Sequence, residues 1–221
     1  MKPRKPKAAY HHGDLQNALV ERALVHLVRT GPEALSLRAL AADIGVSPSA
    51  AYRHFEDRES LLAELARIGF ARLANTMEGA AAAPPSDPAH RLPAVARDYV
   101  RFALENPQLY RLMFGAQRVE KSRHPELAAE AQRAFQVVFG VVGSLPLSPP
   151  PSEQTRYAIT MGCWALVHGL ASLRIDALTV DMSEEAFREL VRTALDELLP
   201  IRLAPALSGA QAAAGGRADR G

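Results

Sequence analysis

The chain has 221 residues, 48% hydrophobic and 23% charged, with a formal net charge of +2 and a single cysteine. That is an ordinary soluble composition, long enough for a small domain plus a larger one, and one cysteine excludes an internal disulfide framework and suits a reducing compartment. No segment offers the roughly 18 uninterrupted apolar residues of a membrane helix and no secretory leader core opens the chain, so the expectation is a cytoplasmic protein without a membrane partner.

Residues 1–10 hold Lys2, Arg4, Lys5 and Lys7 and no acid, while the first sixty residues together carry nine Lys/Arg and seven Asp/Glu. The opening arm is therefore +4 and the remainder of that stretch −2. Residues 1–12 read as a basic flexible arm. The pattern beyond is helical throughout, without sustained period-two alternation. A first helix is expected from Asp14 to Thr30, with Val20, Ala23, Leu24, Leu27 and Val28 at i, i+3, i+4, i+7 and i+8, ended by Gly31-Pro32. Ser36 then stands as an N-cap before Leu37, Leu40, Ala41 and Ile44, and Gly45 supplies the left-handed stop. Ser47 caps a further helix with Pro48 at its first position, and Tyr52, Arg53 and His54 follow. Two short helices around a tight turn make a helix-turn-helix, although an ordinary helical hairpin fits the same spacing.

Asp57 caps a long fourth helix that runs to the break at Ala83-Pro84-Pro85-Ser86-Asp87-Pro88. A fifth helix spans about Leu92 to Glu105 with Val95, Tyr99, Phe102 and Ala103 on one stripe. A short sixth covers Gln108 to Phe114 after Asn106-Pro107, and a seventh covers about Pro125 to Val142 with Ala131, Ala134, Phe135, Val138 and Phe139 apolar. Leu145 to Pro151, with four prolines, reads as a rigid linker. An eighth helix is expected from Ser152 to about Ala177 and a ninth from Ser183 to Leu199, and residues 201–221 read as a disordered tail.

Several runs together resemble the TetR family of transcriptional regulators. They are Ala23-Leu24, Gly31, Ser36-Leu37-Arg38, Ala41, Gly45-Val46-Ser47, Tyr52 with His54-Phe55, and Arg58 with Leu61-Leu62. Later runs resemble one subgroup, whose C-terminal domain is named for a Trp-His-Gly signature: Tyr10 to Leu15, Asn106 to Phe114, and Cys163-Trp164-Ala165-Leu166-Val167-His168-Gly169. The resemblance implies an all-α protein of about nine helices. Its N-terminal three-helix bundle with the helix-turn-helix would occupy residues 13–56. A helical ligand-binding and dimerisation domain would occupy residues 57–200. It also implies a homodimer on a roughly palindromic double-stranded operator, a repressor released by a small-molecule effector.

Under that resemblance Ser47, Ser49 and Ala50 face the major groove, while Tyr52, His54 and Arg58 contact the DNA backbone. Base reading falls to Arg53, Ser49 and Ser47, with Ser36 and Arg38 at the start of the preceding helix. The basic arm adds salt-sensitive, sequence-independent affinity. Phe55 reads as core. For the effector, Tyr99 and Phe102, then Tyr110, Met113 and Phe114, then Phe135 and Phe139, and finally Met161, Trp164 and His168 are the expected lining. Few charges interrupt these stripes, which favours a largely apolar molecule. The dimer interface is expected from the small face of Gly162, Ala165 and Gly169, followed by Leu173. The stripe Phe187, Leu190, Val191, Ala194, Leu195 and Leu198 on the last helix completes it. Cys163 has no acid or second histidine among its helical neighbours, so no catalytic set, cofactor or metal site is expected and the chain is not read as an enzyme. A ligand-independent architectural or partner-binding DNA protein is the alternative.

Overall fold

The structure is a computed structural model that describes residues 12–83, 88–115, 119–145, 147, 150–179 and 181–201. The expected basic arm through His11, the tail beyond Ile201, part of the proline linker and the Leu198 side chain lie outside the described residues. Nine α-helices and one 3-10 turn, and no strand, make up the described residues. The helices are α1 (His12–Thr30), α2 (Leu37–Asp43), α3 (Pro48–Ala51), α4 (Arg58–Ala82), α5 (Pro88–Glu105), α6 (Pro107–Phe114), α7 (Pro125–Gly143), α8 (Glu153–Ile175) and α9 (Glu184–Ile201). The 3-10 turn, Lys121–Arg123, precedes α7. The expected all-helical architecture is the one observed.

The chain divides into two compact units: residues 1–69 with 106–128, and residues 70–105 with 129–221. Unit 1 therefore joins the helix-turn-helix region to α6 and the 3-10 turn. In α1 the buried face is Leu15, Leu19, Val20, Ala23 and Leu27, whereas Val28 is 73% exposed. The apolar residues of this helix spread beyond one face, and only the face of Leu15, Leu19, Val20, Ala23 and Leu27 is covered. Val28, expected on that stripe, therefore faces solvent.

Helix α2 buries Leu37, Leu40 and Ala41. It ends as a Schellman motif, with the Val46 N–H on the Ala41 carbonyl at 2.9 Å and the Gly45 N–H on that of Ala42 at 3.1 Å. Gly45 has φ +76°, a conformation that costs residues with a Cβ. Ser36 occupies the N-cap position with extended backbone, but its side chain makes no capping bond. Asp43 ties α2 to α1: its Oδ2 accepts from Arg22 Nε at 2.8 Å and pairs with His26 Nε2 at 2.6 Å. Those two partners, His26 foremost, hold its carboxyl below the usual carboxylate range.

Helix α4 opens with a capping box. The Ser60 N–H donates to Asp57 Oδ1 at 2.7 Å and the Asp57 N–H to Ser60 Oγ at 3.2 Å. Within unit 1, α6 packs against α1 and closely over α4. A Cβ on Gly69 would stand 2.6 Å from Met113 Sδ, so any larger residue would require the Met113 side chain to shift.

In unit 2, α5 packs against both α8 and α9. Val95, Tyr99, Phe102 and Ala103 of α5 are all buried, as their spacing predicted. Arg133 of α7 fastens the later part of α4. Its Nη1 reaches Asn75 Oδ1 at 3.0 Å and Glu78 Oε1 at 2.9 Å, and its Nη2 donates to the Ala71 carbonyl. Arg156 of α8 lies 3.7 Å over the Phe139 ring and donates from Nε to the Phe139 carbonyl at 2.7 Å. Ser152 and Ser183 cap α8 and α9 through the N–H groups of Thr155 and Ala186, each at 3.1 Å.

Candidate nucleic-acid interface

The second helix of the motif is short. α3 holds four residues, and the chain then tightens into a 3-10-like turn, with the Arg53 N–H on the Ala50 carbonyl at 3.3 Å and the His54 N–H on that of Ala51 at 3.0 Å. Ser47 starts it, its Oγ accepting from the Ala50 N–H at 3.3 Å and pairing with Ser49 Oγ at 3.0 Å. Two residues anchor the element: Ala51 is fully buried and Phe55 nearly so. Ser47, Ser49 and Arg53 are exposed, Tyr52 is 47% exposed, and Ala50 and His54 are half-buried. Ser36 and Arg38 at the start of α2 are also exposed. A hydroxyl-rich and arginine-bearing edge therefore lies on the side opposite the Ala51–Phe55 anchor, which suits a groove lined by phosphates and base edges.

Arg58, expected on the DNA backbone, is exposed and in the free chain bonds to the loop before α2. Its Nε donates to the Leu35 carbonyl at 3.0 Å, and its Nη2 donates to the carbonyls of Pro32 at 2.6 Å and Glu33 at 3.3 Å. The guanidinium closes the α1–α2 loop, because carbonyls with no helical partner outcompete solvent for a nearby fork of donors.

The expected effector residues fall in two groups. Tyr110, Met113 and Phe114 sit on α6 in unit 1, with Tyr110 and Met113 buried and the Tyr110 and Phe114 rings 4.9 Å apart. The others lie in unit 2, where the structure brings Tyr99, Trp164 and His168 together. Trp164 Nε1 donates to the Tyr99 hydroxyl at 3.3 Å, that hydroxyl pairs with His168 Nδ1 at 3.0 Å, and the Trp164 and His168 rings meet edge-on at 6.0 Å. Burial pushes the His168 pKa down, so the ring is neutral at pH 7. Phe102 is buried and Met161 half-buried. Phe135 and Phe139 stack with rings 5.9 Å apart, and Phe135 turns to the exposed Tyr157 at 5.8 Å. A solvent-open depression of about 610 Å³ along α9, lined by charged residues such as Glu185, Arg188 and Arg192, includes none of the expected effector residues.

The expected dimer stripe also divides. Phe187, Val191 and Leu195 are buried within the single chain, because α5 already packs on α9. Leu190 and Leu173 remain exposed, as do Gly162 and Ala165, while Gly169 and Ala194 are half-covered.

Sequence reading missed the contributions of Arg22, His26 and Asp43, and of Arg123, which pairs with Glu59 of α4. Their partners lie 17 to 64 positions away, beyond any local pattern.

The α1–α3 arrangement defines a DNA-binding protein of the helix-turn-helix class. Residues 19–65 match the family described as bacterial regulatory proteins, tetR family, and residues 92–198 match the tetracyclin repressor-like C-terminal domain. The uncharacterized HTH-type transcriptional regulator YobS of Bacillus subtilis (strain 168) is 29% identical over 175 residues, covering 79% of this chain and 82% of that protein. Among solved structures, a protein of unknown function from Rhodococcus sp. RHA1 is 30% identical with a TM-score of 0.75, covering 88% of this chain and 98% of that one. The TetR family regulator PfmR from Thermus thermophilus is 20% identical with a TM-score of 0.61, covering 82% and 97%. The chain belongs to the TetR family of transcriptional regulators.

Proposed function

We propose that this regulator is a cytoplasmic homodimer, of the Trp-His-Gly subgroup, that represses from a palindromic operator and leaves it when a small, largely apolar molecule binds in unit 2. In that reading Ser47, Ser49, Ala50 and Arg53 address the bases, and Tyr52 and His54 address the backbone. The observation that carries effector control is the Tyr99–Trp164–His168 cluster. Three polar aromatic groups share one hydrogen-bonded point on the α5–α8 seam, and the same helix α5 buries Val95, Phe102 and Ala103. A few placed polar groups in an apolar lining are what orients a small ligand.

Dimerisation has its own support. By length and composition α8 is apolar enough to cross a membrane, yet only 22% of its most apolar stretch is buried within the chain. A second copy covering Gly162, Ala165, Leu173 and Leu190 accounts for that exposure.

Release would follow from a population shift, the ligand favouring a dimer whose recognition turns no longer match half-sites about 34–36 Å apart. The test is a thermal-shift screen with apolar carbonyl- and hydroxyl-bearing compounds, followed by operator-release assays on the hits. Tyr99→Phe should weaken the hits while leaving operator affinity intact. Stabilising hits that never release DNA, or an unchanged response in Tyr99→Phe, would argue for regulation without this cluster.

A further inference from the structure

The connection between α6 and α7 belongs to unit 1, and its 3-10 turn carries Lys121, Ser122 and Arg123. Val119 anchors the segment in the core, whereas Ser122 and Arg123 are exposed. Arg123 Nη1 donates to both carboxylate oxygens of Glu59, at 3.0 and 3.3 Å, and His124 Nε2 lies 3.6 Å from the same carboxylate. Glu59 is the second residue of α4, four positions after Phe55, where the recognition turn ends.

This edge has an electrostatic problem. Glu56, Asp57 and Glu59 crowd three carboxylates beside the exposed Tyr52–Arg53 pair, against the sign that a phosphate backbone requires. Arg58, adjacent to these acids in sequence, is engaged by the loop carbonyls of Leu35 and Pro32. Arg123 supplies the missing charge from 64 residues away in sequence, and its field reaches Asp57 as well as Glu59. Both of its bonds to Glu59 leave from one nitrogen, and its side chain is 62% exposed. Nε and Nη2 take no part in those two bonds, which leaves donors of the same planar fork for a second anion.

We propose that Arg123 is a further DNA-backbone contact, a guanidinium held by Glu59 and bound to a phosphate that flanks the bases read by α3. The 3-10 turn then extends the interface beyond the helix-turn-helix into the α6–α7 connection.

The sequence-independent nature of a phosphate contact fixes the experiment: titration of the full-length protein with a labelled DNA duplex of random sequence across a salt series. Arg123→Gln should weaken binding about three- to ten-fold at low salt and lower the slope of log K against log salt by about one. Glu59→Gln breaks the same ion pair but removes a negative charge, so it should bind as tightly as wild type or tighter. The double variant should remain weaker than Glu59→Gln alone. Thermal melts of all three should coincide with wild type, since an exposed pair contributes little to stability. Three results would overturn the proposal: a wild-type salt slope in Arg123→Gln, a loss in Glu59→Gln matching that in Arg123→Gln, or binding by the double variant as tight as that of Glu59→Gln alone. The second would make the pair a structural brace, and the third would reduce Arg123 to a mask over Glu59.

Discussion

Near the recognition turn, Arg53 projects into solvent while Arg58, five positions on, reaches back to three carbonyls of the α1–α2 loop. The two arginines should therefore respond differently to removal. Arg53→Ala should leave urea stability unchanged and relax base preference at particular operator positions, by about 1–3 kcal/mol if it reads a base pair bidentately. Arg58→Ala should lower the stability of unit 1 by about 1–2 kcal/mol in urea melts, with any loss of DNA affinity following the loss of fold. His168 offers a pH signature. Its folded-state pKa lies below the ordinary 6.5, so the unfolded chain takes up a proton first as pH falls. Stability is then full well above pH 6.5, where both states are neutral, and declines as pH falls through 6.5 toward the folded-state value. Melting temperatures measured from pH 7.5 down to 5 should show a decline that His168→Phe makes shallower. A parallel decline in that variant would place the effect in another group.

At the scale of elements, the caps were legible because they are local. Gly45 with positive φ, Ser47 and Asp57 each stand where a side chain or its absence acts on backbone groups two to four residues away, while Ser36 takes the cap position without a side-chain bond. Gly45→Ala should consequently cost about 1–2 kcal/mol, read by urea denaturation, since no Cβ tolerates that conformation without strain. What helical periodicity does not encode is which neighbour covers a stripe. Asn106 to Phe114 announced a helix plainly, but not its place in unit 1, where Met113 packs closely on Gly69 of α4. Phe187, Val191 and Leu195 form a genuine apolar line, but α5 covers it before any partner can. Leu195→Ala should therefore behave as a core substitution, costing roughly 2–5 kcal/mol. The candidate site was legible to a similar depth: Tyr99, Trp164 and His168 were each marked, and their common hydrogen-bonded point was not, because 65 or more positions separate α5 from its partners.

For the whole molecule, the proposed dimer rests on what the single chain leaves uncovered. Leu173 and Leu190 are exposed and Gly162 has open space around it, so these positions, rather than Leu195, are the ones to test. Leu173→Asp combined with Leu190→Asp should yield a folded monomer in analytical ultracentrifugation that has lost tight binding to a palindromic operator. Retained dimers would move the interface elsewhere on the surface.

The economy of α3 bears on how such a protein changes its target. Two side chains, Ala51 and Phe55, hold the element in place, and Ser49 and Arg53 are not among them. Ser47 alone combines exposure with a capping bond. Mutational drift at positions 49 and 53 is thus nearly uncoupled from folding, and, on the proposed reading of these residues as base contacts, selection on operator sequence can act there without first clearing a stability threshold. A duplicated copy of this gene could diverge into an insulated regulator through a handful of surface changes, its scaffold inherited intact.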